Sequence, residues 1–167
     1  AYAKLREADK QNPAAPQWTL RQGMAHYLSG DYAAAIAFLE ARVDEFASND
    51  QRAESLFILG ASYLYQEKPE EAIERLTASH QTSDSWGSAD EVLLILAEAQ
   101  QRTQDDAAAE KTLRRLLEKY PKTRLKAQVE YKLAQLAAAA ENYDQAIELY
   151  QSLVGEPDAA SLHGFAS

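Results

Sequence analysis

The chain has 167 residues and a formal net charge of −9, with 17 lysine and arginine residues against 26 aspartate and glutamate residues. Proteins that bind duplex nucleic acid gain most of their affinity from lysine and arginine at the phosphates, so this charge disfavours a nucleic-acid partner. The absence of cysteine excludes disulfides, thiolate catalysis and zinc–thiolate sites.

Alanine, leucine, glutamate, glutamine, lysine and arginine dominate the composition, which favours helices because these side chains lose little rotamer freedom there. No run of 18 apolar residues occurs, so we expect no direct membrane insertion. The first seven residues are charged throughout and do not resemble a signal peptide. Because the chain also starts without methionine, we expect it to be a fragment of a longer protein.

The first predicted element is a helix over residues 1–11, which the segment Asn12-Pro13-Ala14-Ala15-Pro16 terminates. Tyr2 lies 37 residues before Leu39, so this helix takes the place of the second helix of a truncated repeat. Pro16 is suited to open the helix that follows.

Four helical hairpins follow, at 17–49, 50–86, 88–121 and 123–155, and an internal repeat identifies them. One alanine recurs every 37 residues without gaps, at Ala35, Ala72, Ala109 and Ala146. A small residue precedes each alanine by twelve positions, and a larger apolar residue follows it by four: Gly23, Gly60, Ala97 and Ala134, then Leu39, Leu76, Leu113 and Tyr150. We expect the small residues to bring the two helices together and the large ones to fill the space against the next hairpin.

The second helices of these hairpins are predicted to start at Tyr32, Pro69, Asp106 and Tyr143. In the linker before the third hairpin, Ser88 and Glu91 predict a capping box. Residues 158–167 are interpreted as the start of a further repeat. Neither end shows the polar capping helix that solenoids usually need, so we also expect self-association through the uncapped repeat ends.

The repeat resembles the tetratricopeptide repeat (TPR) family, most closely in Leu59-Gly60-x-x-Tyr63 followed by Ala72 and Leu76. Its period exceeds the common 34 residues of that family. The resemblance implies an all-α, TPR-like solenoid of antiparallel helix hairpins wound into a right-handed superhelix. It further implies a scaffold that binds a protein or peptide, without enzymatic activity and without a cofactor.

In that family the first helices of successive hairpins line a concave groove. The resemblance therefore implies a partner-binding groove at Leu20, Met24, Tyr27, Leu28, Phe57, Leu64, Tyr65, Glu98, Arg102 and Tyr131. Glu54 and Glu91 are acidic positions of the same groove, and the lysine and asparagine side chains with which some members capture a peptide carboxylate have no counterpart. Such a groove would suit an amphipathic helix or an extended peptide, but leucine and tyrosine at helical spacing could equally pack against neighbouring helices.

Other chemistry finds no support in the sequence. His26, His80 and His163 form no metal-binding pattern, and His26 is interpreted as a packed side chain. There is no glycine-rich phosphate loop and no Gly-x-Ser-x-Gly elbow. We therefore predict no catalytic, cofactor or metal site.

The segment Tyr120-Pro121-Lys122-Thr123 resembles the junction between hairpins in bacterial envelope members of the family, such as outer-membrane assembly lipoproteins and Tol-system coordinators. This resemblance implies a periplasmic or envelope location and a role in envelope assembly, secretion or exopolysaccharide export. A proline that ends one helix and a threonine that caps the next would explain the segment equally well. The alternatives are a cytoplasmic location and a regulatory or adaptor module attached to an enzyme or signalling domain outside this chain.

Overall fold

The computed structural model describes residue 12 and residues 14–155 of the chain. The helices predicted within 1–11 and 158–167, and His163, lie outside these residues. Across the described part the chain forms eight α-helices, one short 3-10 helix and no strand. The elements are α1 (Ala15–Leu28), α2 (Tyr32–Glu40), the 3-10 helix (Val43–Glu45), α3 (Asn49–Tyr65), α4 (Pro69–Thr82), α5 (Ala89–Arg102), α6 (Asp106–Lys119), α7 (Lys126–Ala139) and α8 (Tyr143–Gly155).

The helices pair in chain order as the hairpins α1/α2, α3/α4, α5/α6 and α7/α8. Each second helix also packs against the first helix of the next hairpin, and the first helices α1, α3 and α5 contact one another in sequence. The result is the all-α solenoid expected from the repeat. None of the described helices combines the length and apolar character that crossing a membrane requires.

The starts of the second helices confirm the prediction, since α2, α4, α6 and α8 begin at Tyr32, Pro69, Asp106 and Tyr143. Aspartate caps two of them: Asp31 Oδ1 accepts from the Ala34 amide at 3.2 Å, and Asp105 Oδ1 accepts from the Ala108 amide at 3.0 Å.

The capping box predicted at Ser88 and Glu91 is wrong. Ser88 occupies the N-cap position of α5, but its side chain makes no capping hydrogen bond. The Glu91 amide donates instead to Asp90 Oδ1 at 2.9 Å, so an intervening carboxylate takes one of the free donors of the first turn. Asp90 also accepts from the Thr123 hydroxyl at 2.6 Å, which links this helix start to the next junction.

Every hairpin turn uses the same backbone geometry. The four turn residues with positive φ are spaced by 37: Gly30 (78°), Glu67 (57°), Gln104 (62°) and Glu141 (58°). The amide after each of them donates to a carbonyl five residues earlier, as from Asp105 to Gln100 at 2.9 Å, and each turn residue donates to a carbonyl three residues earlier. This is the Schellman motif, which satisfies the last free carbonyls of the first helix.

The core is built around the small residues of the first helices. A Cβ atom on Gly23 would lie 2.6 Å from the Leu39 side chain, and one on Gly60 would lie 2.5 Å from the Leu76 side chain. Leu39 and Leu76 therefore fill the space opposite the small residue of their own hairpin. That the large residues also fill the space against the next hairpin stays a prediction.

Both described histidines contact aromatic side chains. The half-buried His26 ring lies 6.0 Å from the ring of Phe38, in agreement with the packed role predicted for it. His80 is only 6 % exposed and lies 6.5 Å from the ring of Tyr120. Neither of its nitrogens has a hydrogen-bond partner among the described residues. Val43 and Leu117 hold the matching positions in the neighbouring repeats, so His80 replaces an apolar residue.

Candidate partner-binding groove

The predicted groove residues differ in their exposure. Leu20, Phe57 and Leu64 are buried, and Phe57 lies 5.7 Å from the ring of Trp86 in the linker before α5. These three side chains belong to the core and expose little surface to a partner. Met24, Tyr27, Glu98 and Tyr131 are half-buried, whereas Leu28, Tyr65 and Arg102 are exposed.

Three tyrosines from successive helices meet at one end of the first helices. The rings of Tyr32 and Tyr65 are stacked, with 4.6 Å between centroids and 5° between planes. Tyr27 lies 5.8 Å from Tyr32 and 6.0 Å from Tyr65, tilted against both. We call Tyr27, Tyr32 and Tyr65 the tyrosine cluster. Tyr65 is 57 % exposed, so the cluster presents an aromatic ring to solvent.

A small depression lies beside the tyrosine cluster. It has a volume of about 30 Å³ and is lined by Tyr27, Ala61, Leu64, Tyr65, Ile95, Glu98 and Arg102. The fold thus brings five of the ten predicted groove residues to one place. A volume of this size holds a single group as large as a water molecule.

Arg102 closes one side of this depression and is held in place by two contacts. One guanidinium nitrogen donates to the Leu64 carbonyl at 3.0 Å, and the other donates to Glu98 Oε1 at 3.3 Å. The first contact joins the end of α5 to the end of α3. The second forms an i,i+4 ion pair on α5, so the charge of Glu98 is balanced within the groove.

Burial and nearby charge act on the ionisable groups of the groove. Burial raises the pKa of Tyr27 to about 12, with further contributions from Tyr65, Tyr32 and the charge of Glu91, so its hydroxyl stays neutral and able to donate a hydrogen bond. Burial also raises the pKa of Glu54, which Arg21 partly opposes. Neither Glu54 nor Glu91 forms an ion pair with another described residue.

The other five sequence-predicted residues do not line the depression: Leu20 and Phe57 are buried, and Met24, Leu28 and Tyr131 lie elsewhere. Tyr131 pairs with Tyr150 of α8 at 6.0 Å in an edge-on arrangement, and Leu28 is exposed at the end of α1. Conversely, Tyr32 was predicted only as the start of a second helix, and its place in the tyrosine cluster was not predicted. Its position just across the turn from Tyr27 was the available signal.

The depression is lined by two tyrosines, one carboxylate and one guanidinium, together with the apolar side chains of Ala61, Leu64 and Ile95. Within the part of the chain that the structure describes, no group of three or more histidine, cysteine, aspartate or glutamate residues could hold a metal ion.

Comparison with known proteins agrees with this architecture. Two family models, each described as tetratricopeptide repeat, match the chain, one over residues 91–123 and 128–159 and the other over residues 1–50. The crystal structure of MamA is similar with a TM-score of 0.65 and 26% identity, covering 77% of this chain and 70% of that chain. The structure of a putative kinesin light chain of Podosopora anserina with nearly identical TPR-like repeats has a TM-score of 0.72. At 17% identity over 99% of this chain and 86% of that chain, this second likeness concerns the fold alone. No protein of curated function matches the sequence.

Proposed function

Since the chain belongs to the tetratricopeptide repeat family, whose fold typically serves as a non-catalytic scaffold for protein interactions, we propose that its first helices bind a segment of a partner protein at the tyrosine cluster. The observation that carries this proposal is the exposed ring of Tyr65 beside the depression. Tyrosine is enriched at protein interfaces because it offers a large, rigid contact area together with a hydroxyl group.

A rigid scaffold suits this role because its binding surface is already formed. Tyr65 is held by the stack with Tyr32, and Arg102 is held by the Leu64 carbonyl and Glu98. Few side chains would have to be ordered when a partner arrives, so less conformational entropy would be lost on binding.

Site-specific photo-crosslinking in the cells that produce the protein tests this proposal. A photoreactive phenylalanine replaces Tyr65 in one variant and Lys111, an exposed residue of the second helix α6, in the control. We expect position 65 to form a covalent adduct with a specific protein and position 111 to form none with it. Absence of an adduct at 65, or the same adducts at both positions, would contradict the proposal.

We further propose that the protein works in the bacterial envelope, in assembly, secretion or polymer export, on the basis of the Tyr120-Pro121-x-Thr123 segment. The segment also has a structural explanation, because the Tyr120 hydroxyl donates to the Asp84 carbonyl at 2.6 Å and the Thr123 hydroxyl to Asp90 at 2.6 Å. Cell fractionation of the full-length gene product decides the setting. Recovery with periplasmic or envelope markers supports it, and recovery with cytoplasmic markers rejects it.

Self-association through the repeat ends is a separate proposal, supported by the apolar face of α8. Tyr150 is 37 % exposed, whereas its counterparts Leu39, Leu76 and Leu113 are fully buried. Val154 and Ile147 are exposed on the same helix. Sedimentation velocity over a range of concentrations should show a dimer that Val154→Ser weakens, and a strictly monomeric protein would reject the proposal.

A further inference from the structure

The depression beside the tyrosine cluster has the dimensions and lining of a site for a small cation. Its volume of about 30 Å³ would admit an ammonium group, which is the size of a water molecule. Tyr27 and Tyr65 both line it, and their rings are tilted by 57° to each other. Aromatic faces attract a cation within about 6 Å of the ring centroid, because the ring carries negative charge on its face.

The groove as a whole carries more negative than positive charge. Its predicted positions include the carboxylates Glu54, Glu91 and Glu98 and one cation, Arg102, and of these Glu98 and Arg102 line the depression. Arg102 is paired with Glu98 and the charge of Arg21 acts on Glu54, whereas Glu91 forms no ion pair with another described residue. Glu91 is near enough for its charge to act on Tyr27.

We propose that the tyrosine cluster, together with Glu91 and Glu98, recognises the ammonium group of a lysine side chain in a basic segment of the partner. This inference rests on the proposed function and names the chemistry of the partner. The net charge of −9 would attract such a segment at long range, whereas an acidic segment would be repelled.

An anionic ligand fits the same surface less well. Arg102 is the cation that lines the depression, and both of its terminal nitrogens already donate, to the Leu64 carbonyl and to Glu98. A carboxylate could use only the remaining N–H groups of Arg102, and it would have to approach the carboxylate of Glu98, which lines the same depression. A lysine ammonium is attracted by that carboxylate.

Isothermal titration calorimetry with synthetic peptides tests the inference on the full chain. The probes are amphipathic peptides with one leucine pattern and with lysine, acetyl-lysine or glutamate at the polar positions. We expect the lysine peptide to bind about threefold to thirtyfold more tightly than the other two, which is the range of a single cation–aromatic contact. Equal affinity for all three, tighter binding of the glutamate peptide, or no binding of any would overturn the inference.

Variants with matched controls locate the contact. Tyr65→Ala and Glu98→Gln should each weaken the lysine peptide by about threefold or more, whereas Tyr65→Phe should keep its affinity within about twofold. The controls are Tyr143→Ala, an exposed tyrosine at the start of α8, and Glu110→Gln, which breaks a similar i,i+4 pair with Arg114 on α6. Equal losses in the controls would overturn the inference, and circular dichroism melts verify that each variant is folded.

Failure of this inference is distinguishable from failure of the proposed function. If position 65 crosslinks to a partner while the peptides show no preference for lysine, the groove binds proteins without recognising an ammonium group. If position 65 forms no adduct, the proposed function itself fails.

Discussion

Leu76 of α4 lies directly against Gly60 of α3, so that a Cβ atom on Gly60 would stand 2.5 Å from Leu76 Cγ and 3.2 Å from the Leu76 backbone nitrogen. Both residues are buried. A different rotamer of Leu76 would not relieve the contact of that Cβ atom with the Leu76 backbone nitrogen. We expect Gly60→Ala to lower the free energy of unfolding by about 1–3 kcal/mol through overpacking. Urea denaturation followed by circular dichroism measures this loss.

The control for that substitution is Gly87→Ala in the linker before α5. A Cβ atom there meets nothing within 4 Å, so its urea midpoint should stay near that of the wild type. Equal destabilisation by both substitutions would contradict the close approach of α3 and α4.

The repeated turn predicts a stabilising substitution. Gln104 adopts φ of 62°, a left-handed conformation in which a side chain is strained and glycine is not. We expect Gln104→Gly to raise the free energy of unfolding by about 1 kcal/mol. Gly30 holds the same place in the first hairpin, with open space around its Cβ position, so Gly30→Ala should have the opposite effect. Thermal melts of the two variants should therefore shift in opposite directions, and shifts of the same sign would refute this view of the turn.

His80 predicts a loss of stability in acid. Burial lowers its pKa below the ordinary 6.5, and Arg115 and Lys119 lower it further, while Asp84 acts in the opposite direction. Because the unfolded chain takes up this proton at a higher pH than the folded one, the stabilisation is complete above pH 6.5 and is lost as the pH falls through and below that value.

Replacing His80 by leucine, the residue type at the matching position Leu117, removes this proton uptake. The free energy of unfolding of His80→Leu, minus that of the wild type, should rise as the pH is lowered from 7.5 to 5. This interval covers the range of about one pH unit on either side of 6 over which histidine commonly titrates. Urea titrations at several pH values measure it. A difference that does not change with pH would show that the folded protein does not exclude the charged imidazole.

The hydrogen bond of Tyr120, at the junction between the third and fourth hairpins, is expected to make a small contribution to stability. The Tyr120 hydroxyl donates to the Asp84 carbonyl at 2.6 Å, so Tyr120→Phe should cost about 1 kcal/mol of stability. Tyr143→Phe is the control, because Tyr143 is 61 % exposed. If chemical denaturation finds both variants equal to the wild type, the junction is held by packing and the hydrogen bond contributes nothing.

The sequence predicted the hairpin order and the starts of the second helices because these depend on local patterns. The alanine every 37 residues and the residues Tyr32, Pro69, Asp106 and Tyr143 are visible without coordinates. The turn geometry was missed because glycine occupies the left-handed position in only one of the four copies, at Gly30. Glutamate and glutamine conceal the same conformation in the others.

The groove was harder to predict because periodicity does not distinguish a residue that faces a partner from one that faces a neighbouring helix. Leu64 and Tyr65 are adjacent in sequence, yet the first is buried and the second exposed. The stack of Tyr65 on Tyr32 joins residues of different hairpins, and only the packing of α1, α2 and α3 brings them together. Of the later positions that match Tyr27, Tyr32 and Tyr65, only Tyr143 is a tyrosine, so no complete second copy of the tyrosine cluster marks it.

The most direct test of a partner at the tyrosine cluster is an isotope-filtered NMR experiment on the chain mixed with the lysine peptide. We expect nuclear Overhauser effects between the lysine side chain of the peptide and the ring protons of Tyr65 and Tyr27, with none to the exposed ring of Tyr143. Contacts from the bound peptide to Tyr143 or Tyr150 alone, with none to Tyr27 or Tyr65, would contradict a binding site at this end of the first helices.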